Sequence, residues 1–144
     1  MYAHVAIELI FSIVNNGISI TNWALELIKV VDIFKALSEI SRLRILSLLL
    51  EDELCVCEIE ACLRMTQSNA SRHLTALKKC GILESYKNAQ WMYYKISYDF
   101  IRENGELWEY LKHRLKALPS YLSDYKEYQN CKEQELCGCN AIPH

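Results

Sequence analysis

The chain has 144 residues with a net charge of −2, half of them hydrophobic and a quarter charged, which is the size of one domain with a real core. That balance excludes a disordered or fibrous chain. Two prolines and four glycines supply few tight turns, which argues against an all-β fold and for a mainly helical one.

The first 20 residues are apolar but carry no basic flank or small-residue cleavage site, and His4, Glu8, Asn15 and Asn16 interrupt them too often for a membrane span. The expectation is a cytoplasmic protein with no membrane partner and reduced thiols, in which seven cysteines point to metal or redox chemistry. Residues 3–14 are expected to form a short helix that packs on a partner subunit, stopped at Asn15-Asn16-Gly17. Residues 1–21 are thus read as an N-terminal helical extension. Asn22 caps a helix to Leu37, with Leu27, Val30, Val31, Phe34 and Leu37 at helical spacing. Ser41 is expected to cap the next helix, 42–50, whose Leu43, Ile45, Leu46, Leu49 and Leu50 place it at the centre of the core.

Glu51-Asp52-Glu53 stand at the start of an expected helix over 54–63, where the helix dipole favours carboxylates. After a short turn at Arg64-Met65, Thr66 caps a helix over 67–79 that Cys80-Gly81 ends. Two helices joined by a tight turn are the helix-turn-helix pattern. The β-favouring runs 82–87 and 90–96, separated by Asn88-Ala89, add a hairpin directly after it, and that order is the winged helix. Ser97 then caps a helix over 98–118, with Leu107, Trp108, Leu111 and Leu115 as its apolar stripe and Pro119 as its stop. The fold expected is mainly α with a small β-hairpin, a winged helix-turn-helix domain over 22–118, followed by a cysteine-bearing tail over 119–144.

Charge is unevenly distributed along this plan. Residues 64–95 hold six bases against Glu84 alone, a local balance of +5, whereas residues 51–60 hold five acids and no base. A basic segment centred on the second helix of a helix-turn-helix suits phosphates whatever the overall charge. In that helix Gln67 and Asn69 suit adenine edges and Arg72 guanine, with Ser68, Ser71 and His73 beside them on the first turns. Lys87 and Gln90 near the hairpin tip are the expected phosphate contacts.

The combination of Phe34-Lys35-Ala36-Leu37-Ser38, Arg42-Leu43-Arg44-Ile45-Leu46, Glu53-Leu54-Cys55-Val56-Cys57, Gln67-Ser68 with Ser71-Arg72-His73-Leu74, and Trp91 with Tyr93-Tyr94 resembles the ArsR/SmtB family of metal-responsive winged-helix repressors, particularly its arsenic-responsive branch. The likeness covers about residues 33–96. It implies a homodimer with its first and last helices at the interface, and binding to double-stranded operator DNA that a soft ion reverses. The chain departs from the family pattern at Ile40 and Asn69, often proline, at Asn88-Ala89, where the wing usually has glycine, and at Glu60, where many arsenic sensors carry a third cysteine.

Thiolates are soft ligands, and Cys55 with Cys57 suits trivalent arsenic or antimony as inducer. On a regular helix these two would lie about 200° apart, so one ion could be shared only by bending the first turn. That distortion is the expected route by which an inducer would tilt the neighbouring reading helix. A third sulfur, or a separate site, is expected from the tail thiols Cys131, Cys137 and Cys139, the sequence not choosing between Cys137 and Cys139, with Cys62 less favoured because it lies two turns away. Cys80 and Trp91 are expected to pack and His113 to lie on the surface. Asp99, Glu103 and His113 make a weak set for the interfacial zinc site of the related branch, so a zinc- or cadmium-responsive repressor, or one whose thiols oxidise, is the alternative. An enzyme is not expected: a thiol reductase needs C-x-x-C beside a βαβ unit or an anion-cradling loop, and the chain shows neither, nor a motif for an organic cofactor.

Overall fold

The computed structural model describes residues 20–133, so the expected helix over 3–14 and the candidate ligands Cys137 and Cys139 lie outside the described residues. In chain order the elements are α1 (Ile20–Leu37), α2 (Ile40–Leu48), β1 (Leu54–Cys55), α3 (Val56–Leu63), α4 (Gln67–Lys79), β2 (Leu83–Asn88), β3 (Trp91–Ile96), α5 (Tyr98–Glu103), α6 (Gly105–Lys116) and α7 (Tyr121–Glu133). No helix among the described residues is long and apolar enough to cross a membrane.

The core forms around α2. Its Ile45, Leu46 and Leu48 are almost wholly buried together with Ile59, Leu74, Leu77, Ile82 and Leu115 from the surrounding elements. Each such side chain contributes about 1.5–3 kcal/mol on burial, which makes this region the main source of stability. The cap of α2 differs from expectation. Glu39, not Ser41, is the capping residue, its carboxylate accepting the N–H groups of Ser41 and Arg42 at 3.1 Å each. Arg42 in turn donates back to the carbonyls of Ala36 and Lys35, closing the C-terminal end of α1.

The expected helix over 54–63 is shorter and begins differently. Leu54 and Cys55 are extended and form a third strand, antiparallel to β3 with Leu54 opposite Tyr94 and Cys55 opposite Tyr93, giving the order β1-β3-β2. The reason is local: Cys55 is the residue before the helix, and the Glu58 carboxylate accepts its N–H at 2.7 Å in a capping box. α3 then ends on Arg64, whose φ of 52° turns the chain into the helix-turn-helix.

Thr66 caps α4 by accepting the Asn69 N–H, and Gly81 at φ 81° follows its end, both as expected. In the hairpin Asn88 pairs with Trp91, so the two-residue turn is Ala89-Gln90, one position later than expected. Ala89 takes the left-handed conformation with φ 52°, which costs a residue with a Cβ about 1–2 kcal/mol. Ser97 caps the next helix through the Phe100 N–H at 3.3 Å. The single helix expected over 98–118 is two, because the chain breaks at Asn104-Gly105. Trp108, Leu111 and Leu115 of α6 are buried, as an apolar stripe facing the core requires.

The segment after Pro119 holds a full helix, α7, that packs on α2 and α3. Tyr128 and Cys131 enter the main core, and Arg44 of α2 meets the Asp124 carboxylate with two bonds of 2.8 and 2.6 Å.

Candidate nucleic-acid interface and thiol site

The two faces of α4 separate cleanly. Ala70, His73, Leu74 and Leu77 are buried, while Gln67, Ser68, Asn69 and Arg72 are exposed and Ser71 half-buried. His73 is therefore a correction to the expected contact set. Three residues after Ala70 and four before Leu77, it falls on the inner stripe, 7% exposed, with Nδ1 3.3 Å from a Glu39 carboxylate oxygen. Thr75 is exposed and falls on the line of Ser68 and Arg72, a spacing of 68, 72, 75 that the sequence already showed.

Arg72 donates to the Asn69 side-chain oxygen at 3.3 Å, so the two groups suited to base edges lie side by side. Lys78 donates to the Ser85 hydroxyl at 2.6 Å and ties the last turn of α4 to β2. Lys87 and Gln90 are exposed at the hairpin tip. The exposed side of α4 and the hairpin tip are thus both polar and each carries a cation, Arg72 and Lys87.

The thiols are arranged differently from the helical picture. Cys55 precedes the helix, so the separation of about 200° does not apply. It is fully buried against Tyr93, and Cys57, Tyr86 and Trp91 pack on the same cluster. The Tyr86 and Tyr93 rings stack at 5.7 Å, and Trp91 belongs to the hairpin side of the cluster, with its indole N–H buried and unpartnered.

The other described cysteines, Cys62, Cys80 and Cys131, pack in or against the core. Cys62 is buried in the main core, and so is Cys131. The Cys80 thiol donates to the Leu77 carbonyl at 3.2 Å, and burial pushes its pKa up. His113 is exposed. Among the described residues no three of His, Cys, Asp and Glu converge as a complete metal site.

The acids before Cys55 are each tied to a different element. Glu51 accepts the Tyr121 hydroxyl at 2.7 Å and faces Lys116 at 3.5 Å. Asp52 accepts the Tyr128 hydroxyl at 2.8 Å and the Lys132 ammonium. Glu53 accepts the Tyr86 hydroxyl and faces Lys95 at 3.8 Å. Burial opposes charge on Asp52, but Lys132 and Tyr128 outweigh it and hold the carboxyl below its ordinary pKa. The phenols respond in the opposite sense. Tyr86 is pushed up to about 12 by its bond to Glu53, and Tyr121 and Tyr128 to about 12 by burial and by Glu51 and Asp52.

The arsR family of bacterial regulatory proteins matches residues 40–85. A homodimeric winged helix-turn-helix domain from Mycobacterium bovis, described as a possible ArsR-family transcriptional regulator, superposes with a TM-score of 0.56 at 32% identity over 65% of this chain and 85% of that one. The chain belongs to the ArsR family. That family is one of bacterial regulatory proteins, and the matching Mycobacterium bovis structure is a DNA-binding domain. Among its ArsR-family relatives, the arsenic resistance regulator ArsR1 of Pseudomonas putida is 42% identical over 65 residues, 44% of this chain and 51% of that protein. The cadmium resistance regulator CadC of Listeria innocua is 44% identical over 64 residues, 44% of this chain and 54% of that protein. The chain therefore spans about half the length of these two relatives.

Proposed function

We propose that this ArsR-family protein is a homodimeric repressor that holds double-stranded operator DNA through α4 and the wing, and releases it when trivalent arsenic or antimony binds the thiolates of Cys55 and Cys57. The observation that carries this reading is the packing of both thiols on one cluster at the joint between β1 and α3, directly before the DNA-facing helix. Gln67, Asn69 and Arg72 read base edges, Ser68, Ser71, Lys87 and Gln90 position phosphates, and His73 braces α4 against Glu39 from within. Exposed apolar side chains on α1, and Tyr110 exposed on α6, support the dimer interface that the family resemblance implies.

Binding As(OH)3 forms two As–S bonds as two As–O bonds break, the thiol protons leaving with the displaced hydroxides as water, and it pulls Cys55 from its pairing with Tyr93 and from the Glu58 cap. The first turn of α3 and the wing then shift while Leu54 and Ile59 stay in the core. A cap is worth about 1 kcal/mol. The coupling free energy between an inducer site and DNA is about 1–3 kcal/mol, so loss of the cap and of the Cys55–Tyr93 pairing is of the right size. Cys137 or Cys139, both outside the described residues, is the proposed third sulfur.

A cadmium- or zinc-responsive, or an oxidation-responsive, repressor using the same thiols is the alternative, and the likeness to CadC favours cadmium among these. The test uses a fluorescent duplex selected by the protein from random DNA, titrated in parallel with arsenite, antimonite, cadmium, zinc and peroxide. Arsenite and antimonite are expected to release it, and Cys55→Ser with Cys57→Ser to keep DNA affinity but lose release. A serine double variant that responds like the parent would overturn the proposal.

A further inference from the structure

The flank of α4 away from the wing carries a charged cavity that the proposed DNA surface leaves unused. It encloses about 270 Å³ between the last turn of α1, the first turn of α2 and the end of α4. Lys35, Arg42 and Lys79 line it against one acid, Asp32, a balance of +2, and the walls at Ala36 and Ala76 have no bulk to fill it.

The three cations are held in different ways. Arg42 is fixed: its Nε and Nη2 donate to the carbonyls of Ala36 and Lys35, which keeps the guanidinium in place without neutralising it. Lys35 and Lys79 are exposed, and neither pairs with an acid among the described residues. Each ends a helix whose dipole favours a cation there. The dipoles account for two separate lysines, but not for their convergence with Arg42 on one cavity.

The position of the cavity identifies its partner. Lys79 follows Thr75 by four residues, so it extends the exposed line of Ser68, Arg72 and Thr75 to the end of α4. Ala76 lies about 160° around the helix from Lys78, which ties the other flank to the wing through Ser85. A helix with its side chains is about 10–12 Å across and the major groove of DNA about 12 Å wide, so a helix lying in the groove has a sugar-phosphate wall on each side. The wing meets one wall, and the cavity stands on the side of the other. Its volume is below the roughly 300–1,000 Å³ of sites that enclose a whole small ligand, and suits one charged group projecting from a larger partner.

We infer that Lys35, Arg42 and Lys79 form a second phosphate clamp, which holds the DNA backbone on the side of α4 away from the wing. Each α4 is thus gripped against both walls of the groove it reads. The clamp rests on the reading of α4 and the wing as the DNA surface, and it adds affinity and register but no base preference.

On the duplex selected from random DNA, Lys35→Ala with Lys79→Ala is expected to weaken binding several-fold for every base sequence alike. The plot of log affinity against log salt should flatten by about one unit, the share of one phosphate, with melting temperature unchanged. Arg42 is kept because it closes the end of α1. Single methylphosphonates, each removing one backbone charge, locate the contact. The parent is expected to lose affinity at a phosphate on the groove wall away from the wing, where the double variant loses nothing further, and Lys35→Arg with Lys79→Arg should behave like the parent. A double alanine variant with the parent's affinity and slope overturns the clamp, while losses in Arg72→Ala and Lys87→Ala keep the reading of α4 and the wing. A weakened variant that stays sensitive at every methylphosphonate also overturns it, because its lysines then act only as a diffuse field. If Arg72→Ala and Lys87→Ala bind as the parent does, the DNA surface itself is misread and the clamp falls with it.

Discussion

Asp124→Ala tests whether α7 is part of the folded core. The Asp124 side chain is 5% exposed and accepts two bonds from Arg44, whose own side chain is 28% exposed. Removing one partner of a fully buried ion pair costs about 3–5 kcal/mol, because the other charge is left without compensation. Arg44 can regain some water, so the expected loss is smaller, about 2–3 kcal/mol, and Asp124→Asn, which keeps one acceptor, should lose roughly half as much. Urea unfolding followed by circular dichroism at fixed protein concentration measures it, with an unchanged m-value expected. Lys112→Ala is the control. It breaks a pair with Glu109 whose side chain is 71% exposed, and should cost less than about 0.5 kcal/mol. If Asp124→Ala cost no more than the control, the bidentate pair would not anchor α7 and the reasoning would be wrong.

Arg72→Ala is expected to weaken binding to the preferred duplex by about 1–3 kcal/mol and relax discrimination at one base pair, with melting temperature unchanged, as read by anisotropy on a set of single-base variants. Lys87→Ala should weaken all duplexes alike and flatten the plot of log affinity against log salt by roughly one unit of slope, the share of a single neutralised phosphate. His73→Ala should do the reverse, losing about 1–3 kcal/mol of stability in a denaturant titration while leaving base preference intact. The tyrosines give a pH test. Folding raises the Tyr86, Tyr121 and Tyr128 pKa values to about 12, so the stability they contribute is complete below about 10 and is lost as pH rises through 12. Tyrosinate absorbance should show three late-titrating groups in the native protein that move to ordinary values in urea, and Tyr86→Phe should remove one of them.

Local chemistry made most elements legible from the residues alone. Thr66, Ser97 and Gly81 mark helix ends by side-chain or backbone properties that act within four residues, and each does so in the structure. β1 was hidden because two residues hold no periodicity, and its partner Tyr93 lies far along the chain. Its nearest sequence signal was Cys55-x-x-Glu58, a capping box with cysteine where serine or threonine is usual. α7 was hidden for another reason. Its apolar stripe is made of Tyr121, Tyr125 and Tyr128, whose hydroxyls make the segment look polar although their rings stack and pack inward. His73 was misjudged by residue type, since its place on the stripe 70, 73, 74, 77 was readable from spacing alone. Pairs such as Arg44 with Asp124, 80 residues apart, are set by tertiary packing that propensity does not encode.

The acid run before Cys55 decides how the thiol joint can respond. Glu51 ties to α6 and α7, Asp52 to α7 and Glu53 to the wing, yet the Asp52 and Glu53 side chains are 41 and 44% exposed. Ion pairs so exposed contribute about 0–1 kcal/mol each, so these ties steer the joint without clamping it. What holds it is burial: Leu54 at 1% exposure, and Cys55 and Ile59 at 0%. A soft ion bonded to both sulfurs can overcome the ties, but displacing Leu54 from the core would cost about 2–5 kcal/mol, the scale of losing a buried leucine. The cheaper movement keeps Leu54 and Ile59 in place and opens the chain between them, at Cys55 and the first turn of α3. Under the proposed soft-ion reading, the residues that yield are Cys55, paired with Tyr93 and capped by Glu58, and the first turn of α3, so the wing is the first element of the proposed DNA surface to move.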